Sequence, residues 1–209
     1  MTAKHAHPPL HKAHRKFAKT HKAAPRPDFE CISLLLQGGG ALGAYQAGVY
    51  EALAEADLHP DWVAGISIGA INSAVIAGNA PEERVGKLRQ FWEQITSSTA
   101  PAWPIAMALT ASQGELARKA LNQTSAALAL LSGAPGFFAP RMPAPWLSPD
   151  GSQSATSHYD TGNLRSTLES LVDFDRINAA EMRFSVGAVN VRSGNFVYFD
   201  TTTHHIGPQ

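Results

Sequence analysis

Several kinds of residue are scarce in this 209-residue chain. Cys31 is the only cysteine, which excludes an internal disulfide and a thiolate metal cluster and favours a reducing compartment. Neither a signal peptide nor a membrane-spanning helix is expected, since the most apolar window, 63–80, is interrupted by polar side chains. We therefore expect a cytoplasmic or peripheral membrane protein, with Cys31 buried at the start of the first strand.

Acidic residues are absent from the first 27 positions, which hold seven of the 17 Lys and Arg residues and five of the nine histidines. Because this stretch is also polar and rich in proline, we expect residues 1–30 to form a disordered basic tail. The tail could attract anionic lipid headgroups, and no nucleic-acid partner or metal site is expected. Residues 31–209 suffice for one domain with its own core.

A glycine-rich motif follows the first predicted strand of that domain. The apolar run 32–36 is typical of a buried parallel strand and ends in Gln37-Gly38-Gly39-Gly40. A helix is predicted next, and its apolar residues recur at helical spacing. The predicted apolar face of this helix consists of Leu42, Tyr45, Val49, Leu53 and Ala56.

A second motif, Gly65-Ile66-Ser67-Ile68-Gly69, lies between a short predicted strand (62–66) and another predicted helix. A serine held on a sharp strand-to-helix turn needs very small neighbours, so we expect Gly65 and Gly69 to form a nucleophile elbow around Ser67. The turn would point the hydroxyl over the first amides of the helix, whose positive dipole end favours developing negative charge.

The short spacing of the two motifs predicts one right-handed βαβ unit, with both loops at the carboxyl ends of adjacent strands. The fold class is therefore α/β, in three α/β/α layers with a central, mainly parallel sheet. Backbone amides of the glycine loop would then face Ser67, and a nucleophile beside unblocked N–H donors is an acyl-transfer site. The predicted oxyanion-hole residues are Gly38, Gly39, Gly40 and Gly43. No metal or organic cofactor is implied.

The character of the chain changes after a predicted packing helix that ends near residue 96. Residues 97–157 are rich in Ala, Pro, Ser and Leu and carry scattered aromatic side chains. We expect an apolar insertion that contacts acyl chains or a membrane surface, with a helix over 116–131 and no regular element over 134–149. Strands over 183–191 and 196–200 are predicted to form a hairpin.

The segments LLLQGGGALGAYQAGVYEAL and GISIGAINSAVIAG, with their short spacing, resemble the patatin-like phospholipase family of lipid acyl hydrolases. The resemblance runs from residue 32 to the last residue and is weakest over 97–157. It implies that Ser67 is the nucleophile, that the amides around Gly39 and Gly40 form the oxyanion hole, and that the substrate is a lipid or another acyl ester. It also implies a Ser–Asp dyad whose aspartate lies in a D-G-[GA] motif.

The chain departs from this family pattern in two places. Leu42 stands where many members have Lys or Arg, and no D-G-[GA] motif is present. Asp150-Gly151 is the only Asp-Gly pair, but it precedes the last predicted strands, whereas the family's aspartate follows them. Asp200 lies at the end of a predicted strand, but no glycine follows it. We therefore expect a chain truncated before its dyad aspartate and weakly active as it stands.

The first alternative function is dinucleotide binding, since Gly38, Gly40 and Gly43 also satisfy G-x-G-x-x-G after a strand. That fingerprint needs an acidic residue at the end of the second strand. The candidates, Asp57 and Asp61, precede that strand, and the serine motif occupies its end.

Two further alternatives keep the glycine loop and Ser67. A histidine-dependent α/β-hydrolase would use His204 or His205 as its base, but further strands separate loop and elbow in that fold. The last alternative is a non-catalytic, lipid-binding remnant of the patatin-like fold. Only the missing aspartate motif distinguishes this alternative from the enzyme hypothesis.

Overall fold

A computed structural model describes residues 26–96, 115–134 and 136–208. Most of the predicted basic tail and residues 97–114 of the insertion lie outside these ranges. The strands of the described residues are β1 (Ser33–Leu36), β2 (Trp62–Ile66), β3 (Ala139–Pro140), β4 (Tyr159–Asp160), β5 (Arg183–Val189) and β6 (Phe196–Asp200). The helices are α1 (Gly43–Glu55), α2 (Ile68–Ala77), α3 (Pro81–Thr96), α4 (Glu115–Ser132), α5 (Gly162–Leu171) and α6 (Phe174–Asn178).

The main sheet has the strand order β1-β2-β5-β6. β1, β2 and β5 are parallel, whereas β6 pairs antiparallel with β5. This arrangement confirms the α/β class with a central, mainly parallel sheet flanked by helices, consistent with a three-layer α/β/α architecture. As β1 and β2 are direct neighbours, the loops that follow them lie at the same edge of the sheet.

Helix α2 lies at the centre of the helical layer. It packs on β1, β2 and β5, and α1 and α3 in turn pack on α2. Its residues are apolar almost all round, as expected of a helix enclosed on every side, and Val75 and Ile76 are fully buried. The Gly65–Gly69 motif is thus joined to the most enclosed helix of the described structure.

Several side chains on the opposite face of the sheet are exposed. Leu35, Ile66 and Tyr198, which lie on this face, are 73%, 42% and 64% exposed. On the same face, the Arg183 guanidinium lies 4.0 Å above the centroid of the Trp62 ring. Cys31 is also exposed, contrary to expectation, because it precedes β1 at the edge of this sheet.

The apolar face predicted for α1 is wrong at two of its five residues. Leu42 and Tyr45 are 76% and 79% exposed, whereas Gly43 and Tyr50 are buried. A methyl group built on Gly43 would lie 2.5 Å from Ile68 Cγ1. Close approach of α1 to α2 at Gly43 therefore leaves no room for a side chain at that position.

Two other segments, the proline-dense part of the insertion and the end of the tail, differ from the predictions. The proline-dense segment 134–149 contains β3, which pairs with β4, and a single 3₁₀ turn at Pro145–Leu147, so the expected absence of regular structure is wrong. A two-residue edge strand tolerates Pro140 because it requires few N–H donors. At the end of the predicted tail, Arg26 pairs with Asp61, so the last residues assigned to the tail contact the domain.

Candidate active site

Ser67 connects the end of β2 to the start of α2. Its backbone has φ 56° and ψ −127°, a combination that L-residues rarely adopt. The residue is exposed, and its carbonyl accepts the amides of Ala70 at 2.9 Å and Ile71 at 3.3 Å. Strain of this kind, maintained by surrounding hydrogen bonds, is characteristic of functional positions.

The two flanking glycines allow this turn through close backbone contact. A methyl group built on Gly65 would lie 2.3 Å from the carbonyl oxygen of Gly69. A methyl group on Gly69 would lie 2.1 Å from the carbonyl oxygen of Leu36, at the end of β1. Only glycine fits at either position, so the serine turn lies tightly against the strand that leads into the glycine-rich loop.

The glycine loop, defined here as residues 37–42, lies beside Ser67. A methyl group built on Gly38 would be 3.3 Å from Cβ and 3.9 Å from Oγ of Ser67. Gly38, Gly39 and Gly40 are exposed, and among the described residues their amides donate no hydrogen bond. The φ values of Gly39 (153°) and Gly40 (55°) favour glycine. The unpaired amides of the glycine loop thus lie next to the exposed Ser67 hydroxyl.

Gly43 differs from the other three glycines of the predicted oxyanion hole. Its amide donates to the carbonyls of Gly40 and Ala41 within the 3₁₀ turn Gly40–Leu42, so it is not a free donor. Its α-carbon faces Ile68 and Trp92, which leave no space for a side chain. The structure thus gives Gly43 a packing position, and the assignment of its amide to the oxyanion hole is corrected.

Sequence analysis did not identify two side chains that contact the ends of the glycine loop. Gln46 Nε2 donates to the Gln37 carbonyl at 2.7 Å, and Asn72 Nδ2 donates to the Gly43 carbonyl at 2.9 Å. Asn72 is fully buried. A polar residue within an otherwise apolar helix was the available signal, because buried amides require hydrogen-bond partners.

None of the residues considered as a general base forms a hydrogen bond with Ser67 in the described part of the chain. Asp150 is exposed in a loop, and His204 Nδ1 is 2.8 Å from the hydroxyl of Thr203. No carboxylate or imidazole of the described residues forms a hydrogen bond with the Ser67 hydroxyl. The described residues therefore bring Ser67 and the glycine loop together, with no carboxylate or imidazole hydrogen-bonded to the serine.

Asp200 belongs to a network on the exposed face of the sheet. Its carboxylate accepts hydrogen bonds from Ser185, Arg183 and Thr202. Partial burial alone would raise the pKa of Asp200, but the hydrogen bonds from Ser185, Thr202 and Arg183 outweigh it and hold the pKa well below its usual range. Such a group is a poor proton acceptor, and it fastens β6 to β5.

The described ranges contain no group of three or more His, Cys, Asp or Glu residues that could hold a metal ion. Asp61, a candidate for ribose recognition, accepts the Ile32 amide at 2.8 Å at the opposite end of β2 from Ser67. This location disfavours dinucleotide binding at the glycine loop.

Exposed apolar side chains lie on the glycine loop and directly before Ser67. Leu42 and Ile66, which flank the glycine loop and the serine, are exposed. A groove of about 510 Å³ also runs beside the first turn of α2. Its apolar lining includes Ala70, Ile71, Leu164, Phe184, Val186 and Ile206.

Comparison with known proteins gives one family. A model of the family described as patatin-like phospholipase matches residues 34–207. Lysophospholipase nte1 of Aspergillus terreus is 37% identical over 91 residues, which make up 43% of this chain and 6% of the fungal protein. Patatin-like phospholipase domain-containing protein 7 of Rattus norvegicus is 39% identical over 67 residues, or 32% of this chain and 5% of the rat protein. The matched region is thus a small part of each relative. No solved structure matches the chain.

Proposed function

Because this chain belongs to the patatin-like phospholipase family, we propose that it hydrolyses carboxylic esters of lipids through a covalent acyl intermediate on Ser67. The observation that carries the proposal is the position of Gly38 against the side chain of Ser67, with the free amides of the glycine loop beside it. A nucleophile and a set of unpaired N–H donors are the two components that acyl transfer needs most.

The proposed reaction has two steps. Ser67 Oγ attacks the ester carbonyl and passes its proton to solvent water, the carbonyl oxygen becomes negative, and the amides of Gly38, Gly39 and Gly40 stabilise it. The tetrahedral intermediate then collapses, the C–O bond to the alcohol breaks, and the alcohol leaves with a proton. Water attacks the acyl-enzyme in the same way, which releases the carboxylic acid and restores the Ser67 hydroxyl.

The proton acceptor is the missing part of this scheme. The family pattern assigns that role to an aspartate of a D-G-[GA] motif, and these 209 residues contain no such motif. We therefore expect slow turnover by the chain alone, at the level that an oxyanion hole and substrate binding still provide. A positioned carboxylate would add about 10²- to 10⁴-fold.

Apolar surface near the site supports a lipid substrate. Leu42 and Ile66 could contact an acyl chain beside Ser67, and the insertion exposes Met142, Trp146 and Leu147. These three side chains are more than 70% exposed, in a segment where the sequence predicted contact with a membrane surface. No helix of the described structure is long and apolar enough to cross a bilayer, so we propose that such contact is peripheral.

Hydrolysis of a short-chain nitrophenyl ester and of a lysophospholipid tests the proposal. We expect slow turnover of both substrates by the chain and still slower turnover by Ser67→Ala, which loses the acyl intermediate but keeps the glycine loop. A chain extended past Gln209 to include a D-G-[GA] segment should be faster by the factor given above. Undiminished cleavage by Ser67→Ala, with its fold verified by circular dichroism, would reject the mechanism.

A second candidate function is lipid binding without catalysis. The observation that favours it is the absence of a proton acceptor at Ser67 in the described residues. This alternative predicts that lipid vesicles bind the chain, while even the extended chain shows no ester turnover. Turnover that depends on Ser67 would exclude it.

A further inference from the structure

The glycine loop has no buried side chain to hold it in place. All of residues 37–42 are exposed, and Gly39 and Gly40 have positive φ values. Glycine backbones lose more conformational entropy on ordering than other residues do. Other groups must therefore restrain the loop if its amides are to meet an oxyanion at a fixed position.

Two side-chain amides hold carbonyl groups at the two ends of this loop. Gln46 binds the carbonyl of Gln37, where β1 runs into the loop, and Asn72 binds the carbonyl of Gly43, where α1 begins. Asn72 Nδ2 also donates to Gln46 Oε1 at 2.9 Å, which connects the two contacts. Both ends of the loop are thus tied to one pair of residues.

The direction of every bond in this group follows from a single donor. Trp92 Nε1, which can only donate, lies 3.1 Å from Asn72 Oδ1. The Asn72 NH₂ group must then donate, to Gly43 and to Gln46 Oε1, which leaves the Gln46 NH₂ group to donate to Gln37. The chain Trp92–Asn72–Gln46–Gln37 has one consistent orientation, so it specifies one arrangement of the loop.

The same helix carries this hydrogen-bond chain and the nucleophile. Asn72 lies on α2, whose first residue directly follows Ser67, and it is fully buried. We propose that Asn72 and Gln46 are positioning residues, which hold the free amides of the glycine loop at the distance from Ser67 that stabilises the oxyanion. This inference rests on the proposed function, and it gives Asn72 and Gln46 a role that the sequence alone does not indicate.

Replacement of Gln46 by methionine is the main test, since Gln46 is half-buried and methionine has a similar length. Gln46→Met removes the donor to Gln37 and the acceptor for Asn72. Asn72→Ala is the more severe second variant. Asn79→Ala is the matched control: Asn79 is also buried and donates to two carbonyls, Val75 and Leu171, but it lies at the far end of α2.

Two measurements separate positioning from general stability. The first is the ¹⁵N order parameter of the Gly38, Gly39 and Gly40 amides, which needs no catalytic activity. We expect values near about 0.85 in the wild type and below about 0.6 in Gln46→Met, with Asn79→Ala unchanged. The second is ester hydrolysis, in which kcat should fall about tenfold in Gln46→Met and about 100-fold in Asn72→Ala, with KM unchanged.

Rigid glycine amides in both Gln46→Met and Asn72→Ala would overturn the inference. An equal fall of kcat in Asn79→Ala at the same loss of stability would also overturn it, because the effect would then be general. Failure of the proposed function gives a different result: Ser67→Ala would retain activity, whereas the order parameters would still report whether Gln46 and Asn72 hold the loop.

Discussion

The α-carbon of Gly69 lies so close to the carbonyl group of Leu36 that a methyl group there would be 2.1 Å from the carbonyl oxygen. The turn that carries Ser67 is thereby held against the strand that leads into the glycine loop. Since the nearest atoms belong to the backbone, no side-chain movement can relieve an added methyl group.

Gly69→Ala should therefore lower the free energy of unfolding by about 3 kcal/mol or more and separate the serine turn from β1. Gly48→Ala is the matched control, because a methyl group on this helical glycine meets nothing within 4 Å. Helix propensity predicts that Gly48→Ala stabilises the protein by about 0.5–1 kcal/mol. Urea unfolding measures both changes, and similar stabilities of the two variants would contradict the close contact.

Asp200→Asn should destabilise the protein by about 2 kcal/mol at pH 7, because three donors lose a charged acceptor. The pKa of Asp200 is lowered in the folded state, so its contribution is present above its ordinary value of 3.8 and is lost as the pH falls below that value. The difference in stability between wild type and Asp200→Asn should therefore shrink between pH 5 and pH 2.

Asp150→Asn serves as the control for this measurement, since Asp150 is exposed in a loop and forms no ion pair with a described residue. It should change the stability by less than about 0.5 kcal/mol. A stability difference for Asp200→Asn that stays constant down to pH 2 would show that the carboxylate charge contributes nothing.

Much of the site geometry could be predicted from the sequence, because it depends on local chemistry. Glycines at fixed positions around Ser67 indicate a sharp turn, and two short apolar runs separated by a helix indicate adjacent parallel strands. These features need no knowledge of distant contacts. The sharp turn at Ser67 and the adjacency of its strands were therefore predictable.

Features that depend on tertiary packing were not predictable. Leu42 and Tyr45 follow helical spacing, yet α1 buries Gly43 and Tyr50 because close contact with Ile68 decides its orientation. The amide of Gly43 is likewise consumed by a turn that only the backbone conformation reveals. Hydrophobic periodicity does not reveal a helix contact that requires glycine.

Tyr50→Phe should lower the free energy of unfolding by about 1–3 kcal/mol, since the Tyr50 hydroxyl accepts a hydrogen bond from the buried guanidinium of Arg84 at 3.2 Å. Removal of the hydroxyl leaves a buried donor unpaired. The control is Tyr45→Phe, at a tyrosine that is 79% exposed, where a change within about 0.5 kcal/mol is expected. Equal effects of both changes on urea unfolding would contradict the role of the Tyr50 hydroxyl.

Trp146→Ala should weaken binding to lipid vesicles if the insertion contacts a membrane surface, because Trp146 is 75% exposed next to Leu147. Vesicle sedimentation with phosphatidylcholine and phosphatidylglycerol measures the bound fraction. We expect at least a threefold weaker apparent affinity, about 0.7 kcal/mol, which is a fraction of a buried tryptophan's contribution. Tyr198→Ala, on the exposed sheet face, is the control, and equal losses in both variants would contradict a specific role for the insertion.

Covalent labelling tests the role of Ser67 most directly. The chain is treated with a fluorophosphonate, digested, and mapped by peptide mass spectrometry, in parallel with the Ser67→Ala variant. We predict a phosphonate on Ser67 and no labelling of Ser67→Ala. A phosphonate on another residue with Ser67 unmodified, or equal labelling of the two proteins, would contradict the assignment of Ser67 as the nucleophile.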